Sequence, residues 1–182
     1  MPQPADHIDT IGELAAGLRA LGLVPVLVGG MALVVLGSRR VTRDFDFLIP
    51  APGLQLANLV GVLYDRGLEL VSRLAKDGQV AATITNRRVA VSRLRIDAPP
   101  TAYFYDPTTG LRVDFLFDFP IPAANLAERA SRVRIGQYEL QVASEADLLQ
   151  LKRIAAAARQ APGDAEDIAF LEHRRAQRDK KG

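Results

Sequence analysis

The chain has 182 residues, 48% of them hydrophobic, a formal net charge of +2 and no cysteine. That length and apolar content support one large domain with a substantial core, and the missing thiols exclude disulfides, thiolate metal sites and cysteine nucleophiles. His7 and His173 are the only histidines and sit near the two ends, so catalysis has to rest on carboxylates, lysine, arginine and hydroxyls rather than on a Ser-His-Asp triad or a histidine zinc centre.

The first ten residues, MPQPADHIDT, carry neither the basic nor the apolar region of a signal peptide. The apolar run over residues 31–37 is too short to span a bilayer. The expectation is a cytoplasmic protein with no membrane partner. Apolar residues at Ile8, Ile11, Leu14, Ala15 and Leu18 have helical spacing over 7–21, with Gly22 as the stop. A short buried strand follows over 24–28, then a helix over 31–36, a strand over 45–49 closed by Pro50, and an amphipathic helix over 54–66. Residues 69–97 read as strand-like, with 80–85 and 89–96 the best segments. Pro99 and Pro100 break the chain, and strands over 102–105 and 111–117 flank the turn sequence DPTTG. A small hairpin spans 132–142. Ser144, three residues before Asp147, starts a helix over 146–159, and Asp164 can cap a last helix over 165–175.

The chemistry concentrates in residues 28–49, VGGMALVVLGSRRVTRDFDFLI. Strand side chains alternate, so Asp44 and Asp46 leave the same face roughly 7 Å apart. Two carboxylates on a rigid, otherwise apolar strand repel unless protonated or bridged by a cation, and a hard ion such as Mg²⁺ suits such oxygen ligands. Gly29 and Gly30 let backbone N–H groups approach a phosphate. Arg39, Arg40 and Arg43 can clamp phosphate oxygens, while Thr42 shapes the turn into the strand. A phosphate turn beside a metal-binding pair points to nucleotide chemistry. Asp114, in the apolar LRVDFLFDF, is an acid that such a strand rarely accepts unless paired or metal-bound. Asp118 is its rival, nearer Pro120 where the strand should end. Lys152 is one of four lysines against 19 arginines. Tyr103 and Tyr105 share one strand face, which is read as packing rather than as a base-stacking platform.

The order Gly-Gly, short helix, Asp-x-Asp strand and later acidic strand resembles the nucleotidyltransferase fold of the polymerase-beta type. Within it, GGMALVVLGSRRVTRDFDF is similar to the small bacterial group that includes the AbiEii-type toxins of type IV toxin–antitoxin systems. That group also carries a C-terminal helical pair with a lysine on the first helix and an aspartate on the second, which DLLQLKRIAAAAR and GDAEDIAFLEHRR match. The resemblance implies an α/β (α+β) fold, with a mixed sheet, helices on one face and a C-terminal helical pair. It divides the chain into a catalytic core over 1–142 and a helical pair with a basic tail over 143–182. Asp44, Asp46 and Asp114 would be catalytic and hold Mg²⁺ or Mn²⁺. Gly29, Gly30, Arg39, Lys152 and Asp167 would bind the nucleotide, with Arg39 matching the family pattern. The superfamily usually has Gly-Ser at the turn, so Gly30 removes a hydroxyl contact.

The implied reaction moves a nucleoside monophosphate from an NTP to a hydroxyl on a tRNA end, a protein or a small molecule such as an aminoglycoside, with a cognate antitoxin as a further partner. Two other readings use the same residues: an inactive nucleotide- or partner-binding protein, and a metal-dependent nucleotide hydrolase. The last ten residues hold five cations against Asp179, so they carry +4 and the remaining body is net −2. The body is therefore no basic binding module, and the tail reads as a solvated helix end.

Overall fold

The computed structural model describes residues 4–97, 99–159 and 161–181. Residues 1–3, which open the segment read for a signal peptide, and residues 98, 160 and 182, the last of them ending the basic tail, lie outside the described residues. Eight strands form one mixed sheet: β1 (Val26–Val28), β2 (Asp44–Ile49), β3 (Glu69–Leu74), β4 (Val80–Ile84), β5 (Thr101–Tyr105), β6 (Arg112–Phe117), β7 (Ser131–Ile135) and β8 (Tyr138–Val142). Their order is β4-β3-β5-β6-β2-β1-β8-β7. The β2–β6 and β1–β8 pairs are parallel and the others antiparallel. The helices are α1 (Pro4–Ala20), α2 (Gly29–Val35), α3 (Leu56–Tyr64), α4 (Arg87–Arg93), α5 (Ala123–Arg129), α6 (Glu145–Ala158) and α7 (Pro162–Asp179). Among the described residues no helix is long and apolar enough to cross a membrane.

Alternation along β2 and β6 divides the sheet into two faces. Phe45, Phe47 and Ile49 of β2 register with Val113, Phe115 and Phe117 of β6, and all six are buried. Phe115 stacks on Phe47 and Phe117 at centroid distances of 6.2 and 6.3 Å and meets Phe104 of β5 edge-on at 5.9 Å. This aromatic layer holds β5, β6 and β2 rigid, and the intervening residues face the opposite way.

Three elements differ from the sequence reading. Residues 89–96 were expected as a strand because of Val89 and Val91, but α4 occupies most of that span. The Asn86 side chain accepts from the N–H groups of Arg88 and Val89, at 3.0 and 3.2 Å, and so starts a helix that buries Ala90. Helix α5 lies in a span to which the sequence reading gave no element. Asp164 does not cap the last helix, which starts earlier, at Pro162, with no side-chain cap.

Asp118, the rival to Asp114, serves the backbone. It adopts φ 49° just beyond β6, and its carboxylate accepts from Ala51 N at 2.8 Å and Ala123 N at 2.9 Å. It thereby ties the end of β2 to the start of α5. Asp118→Ala loses both hydrogen bonds and places a β-carbon without local polar support in the left-handed region, so it should cost about 2 kcal/mol of stability, read by urea unfolding.

Candidate functional site

Three carboxylates sit on one face at the centre of the sheet. Asp46 of β2 stands in register with Asp114 of the parallel β6, and Asp44 with Arg112. Val28, the last residue of β1, registers with Asp46 from the other side. The chain then turns at Gly29, whose φ is +65° and whose hypothetical β-carbon would lie 2.2 Å from Asp46 Oδ2. Only glycine allows the turn to approach that carboxylate so closely. Gly30 is crowded too: a β-carbon there would come 3.0 Å from the Arg40 guanidinium carbon.

Cations surround the acids. Arg112 Nε donates to Asp114 Oδ1 at 2.9 Å, and its guanidinium lies 5.2 Å from the centroid of the Tyr103 ring. From the helical pair, Lys152 is buried, its Nζ 2.6 Å from Asp167 Oδ2 and 3.5 Å from Asp164 Oδ1. Arg40 also reaches Asp167, so the loop before β2 is tied to α7. Arg159 Nε approaches Asp164 Oδ2 at 3.4 Å.

The three carboxylates line one cleft of about 560 Å³ together with Arg40, Arg112, Lys152 and Arg159, between the carboxylate face and α6. Of the residues singled out in the sequence, it gathers Gly29, Gly30, Asp44, Asp46, Asp114, Lys152, Arg40, Thr42 and Tyr103. Asp167 sits behind Lys152 as its counterion. Arg39 is exposed and does not line the cleft, nor do Arg43 and Tyr105. Sequence reasoning passed over Arg112 and Phe119 and read Asp164 only as a helix cap. Arg112 had a usable signal, because it lies two residues before Asp114 and so shares its strand face. Asp164 and Phe119 had none beyond being acidic or apolar beside a proline.

The cleft is electrostatically tense. Asp46 is pushed up to about 7: burial is the largest cause, repulsion from Asp114 and Asp44 adds to it, and Lys152 and Arg112 pull the other way. Asp114 is pushed up to about 6, again mainly by burial, with the Arg112 hydrogen bond and charge opposing and Asp44 adding. Among the described residues no three acidic or histidine side chains are drawn together tightly enough to enclose an ion; Asp114 is instead turned onto Arg112. Three unbridged carboxylates repel one another. The donor set nevertheless fits a hard divalent cation, being all oxygen, carried by adjacent rigid strands and unfavourably charged without one.

Comparison with known proteins places the chain in context. The family model described as nucleotidyl transferase AbiEii toxin, type IV TA system, matches residues 15–180. No curated protein gives a significant sequence match. Among solved structures, the chain is similar to an antigenic nucleotidyltransferase-like protein from Paracoccidioides brasiliensis, with TM-score 0.57, 19% identity, and 94% of this chain and 78% of that one covered. The lincosamide antibiotic adenylyltransferase LnuA, lincomycin-bound, gives TM-score 0.55 and 13% identity over 93% of this chain and 96% of that one. A nucleotidyltransferase from Thermotoga maritima gives 0.52 and 11% over 86% and 91%. At these identities the likeness is one of fold.

Crowding makes the carboxylates a liability to the stability of the fold. Folded, Asp46 keeps its proton up to about pH 7, against 3.8 for an unconstrained aspartate. Folding therefore takes up a proton between those values, and stability falls as pH rises through that window. With chelator present, Asp46→Asn should match the wild type near pH 4 and unfold roughly 5 °C higher at pH 8, measured by thermal melts at both pH values. Lys152→Met acts in the opposite sense. It strips a cation from the buried Asp164 and Asp167 and should lower stability by about 3 kcal/mol in denaturant titrations.

Proposed function

The chain belongs to the AbiEii nucleotidyl transferase family, and from that premise we propose that it transfers a nucleoside monophosphate from an NTP to a hydroxyl. The observation that carries the reading is the alignment of Asp44, Asp46 and Asp114 on one strand face, directly beside the Gly29 turn and under Lys152. The triphosphate lies along Gly29 and Gly30. Lys152 and Arg40, both anchored on Asp167, hold its oxygens, so Arg40 takes the part that the family pattern suggested for Arg39. Mg²⁺ or Mn²⁺ held by Asp44, Asp46 and Asp114 would, when bound, acidify the attacking hydroxyl and neutralise triphosphate charge.

The acceptor oxygen forms a bond to the α-phosphorus. The bond from that phosphorus to the β-phosphate bridging oxygen breaks, and pyrophosphate leaves with the electron pair. Asp114 takes the hydroxyl proton: its Oδ1 accepts from Arg112, which leaves Oδ2 for the acceptor. Asp44 and Asp46 stay acceptors throughout, and Lys152 and Arg40 orient the leaving group. Water in place of the acceptor would turn the same arrangement into a hydrolase. Membership of this family also supports a role as the toxin of a type IV pair, with a protein antitoxin as partner.

Calorimetric titration of NTP, with and without Mg²⁺, tests the reading on the wild type and on Asp44→Ala/Asp46→Ala. Magnesium-dependent binding should weaken by roughly 100-fold in the double variant. A wild type that binds no NTP at any magnesium concentration sinks the reading and leaves a partner-binding role for the fold.

A further inference from the structure

The acceptor side of the cleft has a chemical character of its own. Across the sheet the relevant strands run β1, β2, β6, β5. The Gly29 turn follows β1, the carboxylates are on β2 and β6, and Thr101 and Tyr103 are on β5. In phosphoryl transfer the attacking and leaving oxygens lie roughly in line. With pyrophosphate departing on the β1 side, the acceptor hydroxyl has to arrive from the β5 side. This argument rests on the nucleotidyl-transfer reading above.

That side offers a platform and few charges. Tyr103 stands opposite Asp114 in the β5–β6 register, and Thr101 opposite Leu116. The Arg112 guanidinium lies 5.2 Å from the centroid of the Tyr103 ring, yet Tyr103 remains 36% exposed, and Phe119, just beyond β6, is 50% exposed. Both line the cleft, as do Thr101 and Leu116. The only acids among the lining residues are Asp44, Asp46 and Asp114, whereas the cations are Arg40, Arg112, Lys152 and Arg159. With those three acids engaged at the reacting centre, no lining carboxylate is left to receive a cationic acceptor. Flat rings stack on exposed aromatic faces and on arginine planes.

We propose that Tyr103 and Phe119 form an acceptor platform that selects a neutral or anionic hydroxyl compound with a flat ring and rejects polycations. The Arg112 guanidinium extends the platform as a second planar group in the cleft, and the apolar Leu116 lines the same wall. The hydroxyl of a ring stacked there is presented to Asp114, the acid in register with Tyr103.

The test uses the full chain saturated with Mg²⁺ and a non-hydrolysable NTP analogue, titrated by calorimetry with adenosine as the flat neutral probe or tobramycin as the polycation. Adenosine should bind and tobramycin should not. Tyr103→Ala and Phe119→Ala should each weaken adenosine about 10-fold, while Tyr103→Phe retains its binding and the analogue's affinity stays unchanged in all three, which shows that they remain folded. Tobramycin binding more tightly than adenosine overturns the proposal. So does adenosine binding that is absent from the loaded wild type or indifferent to both alanine variants. A wild type that takes up no analogue overturns the underlying reading and this proposal with it, a failure distinguishable from the others because it appears before any acceptor is added.

Discussion

Repulsion among Asp44, Asp46 and Asp114 is the constraint around which the rest of the molecule is arranged. Placing three acids on one half-buried face of two central strands costs the fold stability, and the surroundings compensate only in part. Arg112 engages one oxygen of Asp114, Lys152 pulls Asp46 back toward ionisation, and a glycine turn replaces any side chain that would collide with Asp46. Crowding left incompletely neutralised is the state in which a cation binds with the greatest gain. A sheet optimised for stability alone would carry valines at these positions, as the opposite face carries Phe45, Phe47 and Phe115.

The helical pair depends on the same constraint from the other side. Lys152 could not be buried over the carboxylates without its own counterions, and α7 supplies them as Asp164 and Asp167, both almost fully buried. Their acidity in turn anchors Arg40 and Arg159. The result is a layer in which acids and cations alternate outward from the sheet: carboxylates on the strands, a lysine between, aspartates behind it. At the far end of α7, Arg174 donates to Leu36 O at the close of α2, at 2.7 Å, and pairs with Glu145 at the start of α6. Arg178 pairs with Glu145 as well. The tail, read from the sequence as a solvated helix end, is thus pinned through Arg174 and Arg178 to the ends of α2 and α6.

Much of this was legible because strand alternation is a strict code. Once β2 was recognised, the shared face of Asp44 and Asp46 followed from counting by twos, whereas the place of Asp114 beside them depends on the parallel register of β6 with β2. Asp167 was legible as a charged position on the second helix, but its partners were not: Arg153 and Arg159 were the near candidates, whereas Arg153 pairs with Glu172 and Asp167 takes Lys152 and Arg40. Such pairings depend on how two helices cross, which periodicity does not encode. That Arg40 rather than Arg39 lines the cleft was not readable for a similar reason. Both lie outside any regular element, where neighbouring side chains have no fixed phase. Val89 and Val91 misled because strand propensity is weak next to a well-placed cap, and Asn86 decides that segment. Tyr103 and Tyr105 share a strand face, yet only Tyr103 reaches the cleft, because it registers with Asp114 while Tyr105 registers with Arg112 nearer the hairpin turn.

The sheet separates a rigid centre from a more variable rim. The carboxylate row and the glycine turn sit on paired central strands, where a one-residue slip in register would turn the acids to the opposite face. Tyr103 lies one strand farther out, and Phe119 in the loop beyond β6, a loop whose course is set by Asp118 holding Ala51 and Ala123. Side chains there can change without disturbing the register that places the acids. The loop's anchor, the Asp118 carboxylate on Ala51 N and Ala123 N, is independent of the identity of Phe119, so that side chain can change while the backbone that carries it stays in place. On the proposed reading, selectivity for the acceptor would be built on the outer strand and loop, and the chemistry on the central strands.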